Sequence, residues 1–504
     1  MVLLLSGRGP AGPFVVPEPG IGTGGRGSRT AHHPRWRPER PMHADMVDSC
    51  GMYVKYLDIR SCIRPSHVHG RDPGRAPHGL ADLRHNARMI WQPLLEGDPA
   101  RRALQAVEDI ARALEDFTPP VDDQRLPSLA GGAAGEALFH AYLALHTGDE
   151  QPAERAAERL DTAVEGVATI IMPPGLYSGF PGVAWVAEHL QTRLFEPDPE
   201  SGDPYLEIDE ALLTFVGTLT TADEYDLIGG VTGLGVYARE RLASPSGALL
   251  LERVVDHLAT QAETGPDGTT WFTPPHRLPE WQREIHPQGL YNLGVAHGIP
   301  AVLALLAIAC RAGVAADRAR PLLDGAVRWL LARQLPAGTA SCFGTVAVAG
   351  GEPSPSRLAW CYGDPGIAAT LLVAAQAAGE PAWEAKALEI ARHAARRAPE
   401  QSFVRDAGIC HGAAGLAHLF NRFWQASGEA VFRDAAVAWI ERTLAFQVPG
   451  EGIAGFSAWH AQSGQQGRWV AEPGLLEGAT GVGLVLLAAV SAVEPEWDRI
   501  LLVS

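Results

Sequence analysis

The hydrophobic pattern from residue 89 onwards predicts helices. Apolar residues recur with the 3.6-residue period of an amphipathic helix at Leu104, Val107, Ile110, Ala111 and Leu114. Similar segments rich in alanine and leucine continue to the end of the chain, and few segments alternate polar and apolar residues as strands do. The pattern therefore predicts an all-α fold for residues 89–504.

A glycine motif introduces an apolar run seven times along this region. The copies are Gly132-Ala-Ala-Gly135, Gly179-Phe-Pro-Gly182, Gly230-Val-Thr-Gly233, Gly298-Ile-Pro-Ala301, Gly363-Asp-Pro-Gly366, Gly412-Ala-Ala-Gly415 and Gly478-Ala-Thr-Gly481. The fourth copy lacks the second glycine. Neighbouring copies begin 47 to 68 residues apart, which is enough chain for two helices and their loops.

The helical runs differ in polarity according to their place in the repeat. The runs after the glycines, such as Val302–Ile308 and Ala368–Ala375, are apolar on nearly all sides, which predicts buried helices. The segments between them, such as Trp383–Arg397, are more polar. We expect seven inner helices inside an outer layer, that is, a closed α/α toroid or double-layered barrel of seven helix pairs. An open solenoid is the alternative, but solenoids need polar caps and the last repeat stays apolar.

The charge balance excludes some classes of function. The chain has 504 residues and a formal net charge of -17, which argues against nucleic-acid binding because phosphates repel it. No stretch approaches the ~18 apolar residues of a membrane span. Six cysteines in so long a chain do not form a disulfide scaffold, and no targeting signal is visible, so we expect a cytoplasmic protein.

Residues 1–88 have a different composition from the remainder. They are rich in glycine, proline, arginine and histidine, and carry 13 basic and 7 acidic side chains. No helical or strand period persists in them. We expect a disordered N-terminal extension or a start site placed too far upstream, followed by a folded domain over residues 89–504.

Three residues at matching positions in two repeats have the chemistry of a metal site. Cys361 precedes the fifth glycine motif, and Cys410 and His411 precede the sixth. Two thiolates and an imidazole suit Zn²⁺, and three protein ligands leave one position open for a substrate. The alternative is that both cysteines are small residues of the core.

Other polar residues precede the glycines in the same register. His297 is a candidate acid, and Asp226 is placed to orient it or to cap the following helix. Arg357 is a candidate for stabilising negative charge and Tyr362 for donating a proton, although both suit ordinary loop hydrogen bonds as well. We expect Glu477 to orient backbone.

Some features have no place in the repeat. Cys310 and Cys342 fall outside the motif register, and we expect Cys310 in a helix core. Asp364 adds a carboxylate that we expect close to the metal. The long connection over residues 263–290 is predicted to overhang the site and bind a peptide, or to be an irregular surface segment.

Four segments together resemble the lanthipeptide cyclases of the LanC family. They are Tyr291-Asn-Leu-Gly-Val-Ala-His-Gly298, Arg357-Leu-Ala-Trp-Cys-Tyr-Gly363, Ile409-Cys-His-Gly412 and Leu476-Glu-Gly-Ala-Thr-Gly481. The resemblance covers about residues 89–504 and is to the stand-alone bacterial type. It implies a toroid of seven helix pairs and one zinc ion held by Cys361, Cys410 and His411. It implies active-site roles for the residues His297, Asp226, Arg357 and Tyr362.

The resemblance also implies a reaction and its partners. The expected enzyme forms lanthionine and methyllanthionine by Michael addition of a peptide cysteine to dehydroalanine or dehydrobutyrine. Its expected partner is a dehydrated precursor peptide, with a dehydratase and a transporter as further candidates. Two alternatives share the same residues, namely glutathione binding with its addition to dehydroamino acids, and a non-enzymatic scaffold. Carbohydrate-active or terpenoid toroids use carboxylate pairs or Asp-rich motifs in the cavity, and no such pair stands in register here.

Overall fold

A computed structural model describes residues 91–119, 123–191, 193–195, 202–348, 350–351, 354–460 and 467–504. All of these residues except Gly467 belong to one compact unit. The second unit, Met1–Tyr53 with Ala461–Gly467, lies outside the described residues apart from Gly467. The extension predicted for residues 1–88 also lies outside them, so the proposed domain boundary stays a prediction.

Helices make up most of the described residues, as the apolar pattern predicts. In chain order they are α1 (Gly97–Asp116), α2 (Ala133–Thr147), α3 (Glu150–Thr169), α4 (Phe180–Gln191), α5 (Leu206–Thr218), α6 (Val231–Glu240), α7 (Pro245–Gln261), α8 (Glu280–Ile285), α9 (Ile299–Ala312), α10 (Ala316–Leu331), α11 (Asp364–Ala378), α12 (Pro381–Ala395), α13 (Ala413–Ser427), α14 (Ala430–Ala445) and α15 (Ala479–Val490). Short 3₁₀ helices span Pro275–Arg277, Pro399–Gln401 and Glu496–Leu501.

The seven helices that follow the glycine motifs form a closed inner ring. They are α2, α4, α6, α9, α11, α13 and α15, and each contacts the next. The last of them, α15, contacts the first, α2. Their residues are buried on nearly all sides, as in α9, where every residue from Ile299 to Ala309 is buried. The predicted α/α toroid is confirmed, and an open solenoid is excluded.

An outer layer completes the seven helix pairs. Five outer helices, α3, α7, α10, α12 and α14, each pack on the inner helix before them, and the sixth, α5, packs on the outer helix α7. The seventh outer helix is α1, which packs on α15 from the other end of the domain. Trp91 Nε1 donates a hydrogen bond to the Ala488 carbonyl at 3.0 Å beside this contact, and the Leu94 amide donates to Ala489 at 2.8 Å. The ring is therefore closed by pairing the start of the domain with its end.

Within the part of the chain that the structure describes, three small antiparallel ladders interrupt the helical pattern. They pair β1 (Glu263–Gly265) with β2 (Gly268–Thr270), β3 (Tyr291–Asn292) with β4 (Val346–Ala347), and β5 (Ala458–His460) with β6 (Arg468–Val470). The connection over residues 263–290 is thus partly ordered into β1, β2, a 3₁₀ turn and α8.

The C-terminal residues lie inside the ring. Trp497, Ile500 and Leu501 are almost fully buried. Tyr177 donates its hydroxyl to the Ile500 carbonyl at 2.7 Å, and Trp360 Nε1 donates to Leu501 at 2.9 Å. Since these donors come from the second and fifth repeats, the terminal segment fills the space between distant parts of the ring.

Within the described residues, no helix combines the length and the apolar character that crossing a membrane requires.

The tight packing at the glycine motifs predicts a large effect of one methyl group. A Cβ at Gly182 would overlap the Leu176 carbonyl oxygen, which belongs to the backbone and cannot swing aside. We expect Gly182→Ala to lower the free energy of unfolding by about 1–3 kcal/mol or more, as overpacking does. The matched control is Gly217→Ala in α5, where a Cβ meets nothing within 4 Å; it should raise stability by up to about 1 kcal/mol. Equal denaturation midpoints for the two variants would contradict this account.

Candidate functional site

Backbone hydrogen bonds join the loops before the inner helices around one end of the ring. The Ala296 amide donates to the Cys361 carbonyl at 3.3 Å, and the Cys361 amide donates to Cys410 at 3.2 Å. The Cys410 amide in turn donates to the Leu476 carbonyl at 2.8 Å. The loops of the fourth to seventh repeats therefore stand side by side, and residues in matching register become neighbours.

This alignment brings together the three predicted metal ligands. One ligand atom from each of Cys361, Cys410 and His411 lies within 4.8 Å of the others. The two cysteines are buried and His411 is half-buried. Both cysteines are free thiols, so the pair is not a disulfide.

Hydrogen bonds and charge set the protonation of the triad. Burial disfavours a thiolate at Cys361, but hydrogen bonds from Cys410 and His411 lower the pKa of Cys361 well below its usual value. The hydrogen bond to Cys361, together with burial, raises the pKa of Cys410. Burial also opposes a charge on His411, yet its hydrogen bond to Cys361 raises its pKa. The triad therefore favours one thiolate, which is the form that binds metals.

Two observations indicate that Cys361, Cys410 and His411 are suited to bind a zinc ion. The donor set of two sulfurs and one imidazole nitrogen is the one that zinc prefers. His411 Nδ1 is buried and has no hydrogen-bond partner among the described residues. A buried polar atom without a partner is costly, and coordination of the imidazole would relieve that cost.

The predicted pairing of His297 with Asp226 is present. His297 Nδ1 lies 2.5 Å from Asp226 Oδ2. The other oxygen, Oδ1, accepts the amides of Gly229 and Gly230, each at 2.9 Å. Asp226 therefore orients the His297 ring and also accepts hydrogen bonds from the backbone amides that precede α6. Burial disfavours the imidazolium, but the Asp226 carboxylate outweighs it and raises the pKa of His297.

Tyr362 and Arg357 lie on either side of Cys361 in the same loop. The Tyr362 ring centre is 6.3 Å from that of His297, and its hydroxyl accepts a hydrogen bond from Asn292 Nδ2 at 3.0 Å. Burial raises the pKa of Tyr362, which keeps its hydroxyl protonated. Arg357 donates to the Phe403 carbonyl at 3.2 Å, and its charge acts to lower the pKa of Cys361.

Sequence reasoning missed several polar residues around this group. Asn292 lies in the segment Tyr291–Gly298, five residues before His297, and its place in that segment could have indicated a site residue. Glu224 precedes Asp226 by two residues, and burial together with Asp226 raises the pKa of Glu224 to about 7. Arg277 Nη1 lies 3.3 Å from Glu224 Oε1. Nothing in the repeat pattern pointed to Arg277, because it belongs to the long connection.

The connection over residues 263–290 contributes to a cavity next to this pair. The cavity has a volume of about 320 Å³ and is lined by Glu224, Trp271, Phe272 and Arg277 among others. Glu224 lines this cavity and interacts electrostatically with Asp226 and His297, neither of which is among the lining residues. The overhang of this segment above the site and its use by a peptide stay predictions.

Glu477 has a partner that the sequence did not suggest. Its Oε2 lies 3.0 Å from Nε2 of His460, at the end of β5. Burial disfavours the carboxylate, but the hydrogen bond from His460 lowers the pKa of Glu477. The candidate metal site is thus flanked by a second histidine–carboxylate pair from the seventh repeat.

Two expectations outside the triad need correction. Asp364 does not join the triad; its carboxylate accepts the amides of Cys342 at 2.7 Å and Phe343 at 3.0 Å instead. Burial and the charge of Asp364 raise the pKa of the Cys342 thiol to about 12, so it is not a reactive thiolate. Cys310 lies in α9 as expected, but in its last turn and only half-buried rather than in the core.

Comparisons with known proteins bear on the family and the fold of the chain. A family model described as "Lanthionine synthetase C-like protein" matches residues 124–502. Nisin biosynthesis protein NisC of Lactococcus lactis subsp. lactis is 24% identical over 285 residues, which cover 53% of this chain and 67% of that protein. A solved structure titled "Nisin cyclase" shares the fold, with a TM-score of 0.61 and 21% identity over 80% of this chain and 98% of its own.

A solved sugar epimerase from a ruminal bacterium has a TM-score of only 0.42, with 10% identity over 78% of this chain and 98% of its own, and carries no argument here.

The Asp226 contact predicts a measurable shift at His297. Replacing Asp226 with asparagine removes the charge that raises the pKa of His297, so burial should then bring that pKa below the ordinary value of about 6.5. A pH titration of the His297 ring signals by NMR, assigned with His297→Asn, measures the change. Asp267→Asn, which alters an exposed carboxylate paired with Arg333, should leave the titration unchanged.

The same pair should contribute a pH-dependent part of the stability. Because the folded pKa of His297 is raised, the contribution is complete below the ordinary value of about 6.5 and is lost as the pH rises through the raised pKa. In Asp226→Asn, where the folded pKa is expected below the ordinary value, the dependence should reverse, with stability lost as the pH falls. An unchanged His297 titration in that variant would contradict the assigned contact.

Proposed function

Because the chain belongs to the lanthionine synthetase C-like family, we propose that it is a zinc-dependent lanthipeptide cyclase. Its proposed reaction is addition of a cysteine thiol to dehydroalanine or dehydrobutyrine within one precursor peptide, which forms lanthionine or methyllanthionine. The observation that carries the proposal is that the Cys361, Cys410 and His411 cluster lies in one ring of loops with the paired His297 and Asp226.

In this proposal Cys361, Cys410 and His411 hold the zinc ion. Bound there, zinc would supply positive charge that lowers the pKa of a substrate thiol and favours its thiolate. The three protein ligands leave a coordination position for a substrate sulfur. The buried surroundings of both cysteines exclude water from the sulfurs and strengthen these charge interactions.

The bond changes assign tasks to the other residues. The thiolate sulfur bonds to the β-carbon of the dehydroamino acid, and the electron pair of its double bond moves to the α-carbon and carbonyl oxygen. The resulting enolate then takes a proton at the α-carbon, while the proton lost by the thiol passes to solvent. His297 is the proposed donor of the α-proton, since its raised pKa keeps the imidazolium available at neutral pH.

Tyr362 and Arg357 are proposed to stabilise the enolate. The Tyr362 hydroxyl stays protonated and accepts its hydrogen bond from Asn292, so its own proton is free to be donated. Arg357 adds a positive charge close to Cys361. Donors fixed in place before reaction stabilise developing charge without reorganisation. Asp226 acts by holding the His297 ring, and is a positioning residue.

The proposal also covers the cellular location and the partners of the enzyme. We place the enzyme in the cytoplasm, acting on a dehydrated precursor peptide, with a dehydratase and a transporter as candidate partners.

The proposed acid is tested by replacing it. We expect His297→Asn to lower kcat for ring formation by about 10²–10⁴-fold, the range of a lost general acid, with its bound zinc retained. Mass spectrometry after thiol alkylation of a dehydrated precursor peptide counts the rings. His146→Asn, in the last turn of α2 at the other end of the inner helices, should keep normal activity.

An assay with glutathione in place of the peptide thiol distinguishes ring formation from the addition of glutathione to dehydroamino acids. Adduct formation with glutathione, and no rings from wild-type protein, would replace the cyclase proposal by the glutathione-adding activity. Ring formation that survives His297→Asn at the wild-type rate would remove His297 from the mechanism.

The proposed zinc ligands are tested independently of the peptide. We expect Cys410→Ala to lose one zinc ion per chain relative to wild type, because two remaining ligands hold zinc weakly. Cys310→Ala replaces a free cysteine outside the triad and should keep its zinc. Metal analysis of the purified full chain measures both, and unchanged zinc in Cys410→Ala would contradict the proposed site.

A further inference from the structure

A second cluster of metal-ligand side chains lies outside the site described above. One ligand atom from each of Cys342, Asp364 and His393 lies within 4.8 Å of the others. Cys342 belongs to the connection between α10 and α11, Asp364 is the first residue of α11, and His393 is in the last turn of α12. Three separate elements therefore present a sulfur, a carboxylate oxygen and an imidazole nitrogen to one point.

The carboxylate at the centre of this cluster is held in a fixed orientation. Asp364 is fully buried, and its two oxygens accept the amides of Cys342 and Phe343 at 2.7 and 3.0 Å. These bonds fold the connection so that the Cys342 side chain stands beside the carboxylate. Metal-binding carboxylates are commonly oriented by such hydrogen bonds from the surrounding protein.

Two nitrogens lie at ion-pair distance from the same carboxylate oxygen, but beyond the distance of a good hydrogen bond. His393 Nδ1 is 3.6 Å from Asp364 Oδ2, and Arg397 Nη2 is 3.5 Å from it. Both nitrogens are buried and have no hydrogen-bond partner among the described residues. The Arg397 side chain is only 3% exposed. These separations exceed those of good hydrogen bonds, and unsatisfied buried nitrogens are costly, which points to a bound species between the imidazole and the carboxylate.

The charge at the cluster permits a divalent cation. Arg397 alone could balance Asp364, but its Nη1 donates to the Ser356 carbonyl at 2.8 Å and holds the guanidinium at the longer distance. The Cys342 thiol is protonated without a metal, and coordination would deprotonate it, so that thiolate and carboxylate together neutralise a divalent ion. Arg397 then remains as a neighbour that orients the carboxylate rather than as its counter-ion.

We propose that Cys342, Asp364 and His393 bind a second divalent transition-metal ion, with zinc as the ion of first choice. A thiolate, an imidazole and a carboxylate are all zinc ligands, and the thiolate selects against Mg²⁺ and Ca²⁺. The ion would fasten the connection before Cys361 and the end of α12 to the start of α11. Its role is structural, and it does not depend on the proposed cyclase activity.

The test is the zinc content of the full chain after loading with Zn²⁺ and removal of the excess. We expect about two zinc ions per chain in wild type and about one in Cys342→Ala, because each cluster binds its own ion. Cys310→Ala, which changes a free cysteine outside both clusters, should keep both. In a Cys410→Ala background we expect Cys342→Ala to remove the zinc that remains.

A second variant and a second ion keep the test decisive if Cys342→Ala does not fold. His393 is half-exposed, so His393→Gln should preserve the fold while losing one zinc ion. With Co²⁺ loaded into Cys361→Ala/Cys410→Ala protein, a thiolate-to-cobalt charge-transfer band should appear, and it should vanish when Cys342→Ala is added.

Equal zinc content in wild type, Cys342→Ala and His393→Gln would overturn the second site while leaving the triad untouched. Zinc that is lost with Cys342→Ala but not with Cys410→Ala would instead support the second site and contradict the metal centre of the proposed cyclase.

Discussion

The toroid depends on one close backbone contact that is repeated around the ring. In six repeats, a Cβ at the second glycine of the motif would come to within 2.5 Å of the carbonyl oxygen six residues earlier. The loop before each inner helix is thus pressed onto the first turn of that helix, which only glycine allows. The loops held in this way carry the candidate ligands and the candidate acid. In the fourth repeat Ala301 takes this position, so the requirement for glycine applies to the other six; Gly294 there lies against the Cys361 carbonyl of the next repeat, a separate contact.

Backbone hydrogen bonds between these loops turn the repeat into a site. Because Cys361 and Cys410 donate to their next neighbours in sequence around the ring, residues far apart in the chain take adjacent places at one end. Neighbouring groups then favour particular protonation states. These are a thiolate at Cys361, an imidazolium at His297 beside the Asp226 carboxylate, and a protonated Tyr362. Burial keeps Tyr362 protonated but opposes the charges on Cys361 and His297, so those two charges depend on the hydrogen bonds and the carboxylate beside them.

The unequal repeat lengths have a structural explanation. The three longest intervals between glycine motifs, those preceding the fourth, fifth and seventh copies, contain all the strands among the described residues. The remaining intervals hold a helix pair and its loops. The extra residues contribute Arg277 beside Glu224, Cys342 beside Asp364, and His460 beside Glu477. The additions therefore surround the same end of the ring as the candidate metal centre.

The sequence by itself determined the inner ring, since glycine spacing and apolar runs are local patterns that record burial directly. It also singled out Cys361, Cys410, His411 and His297 with Asp226, because equivalent positions in a closed repeat must become neighbours. Only the tertiary structure paired α1 with α15, bound the Asp364 carboxylate to the amides of Cys342 and Phe343, and brought Arg277 and His460 to the site. Those contacts join segments with no shared periodicity, and their partners are chosen by packing across the ring rather than by spacing along the chain.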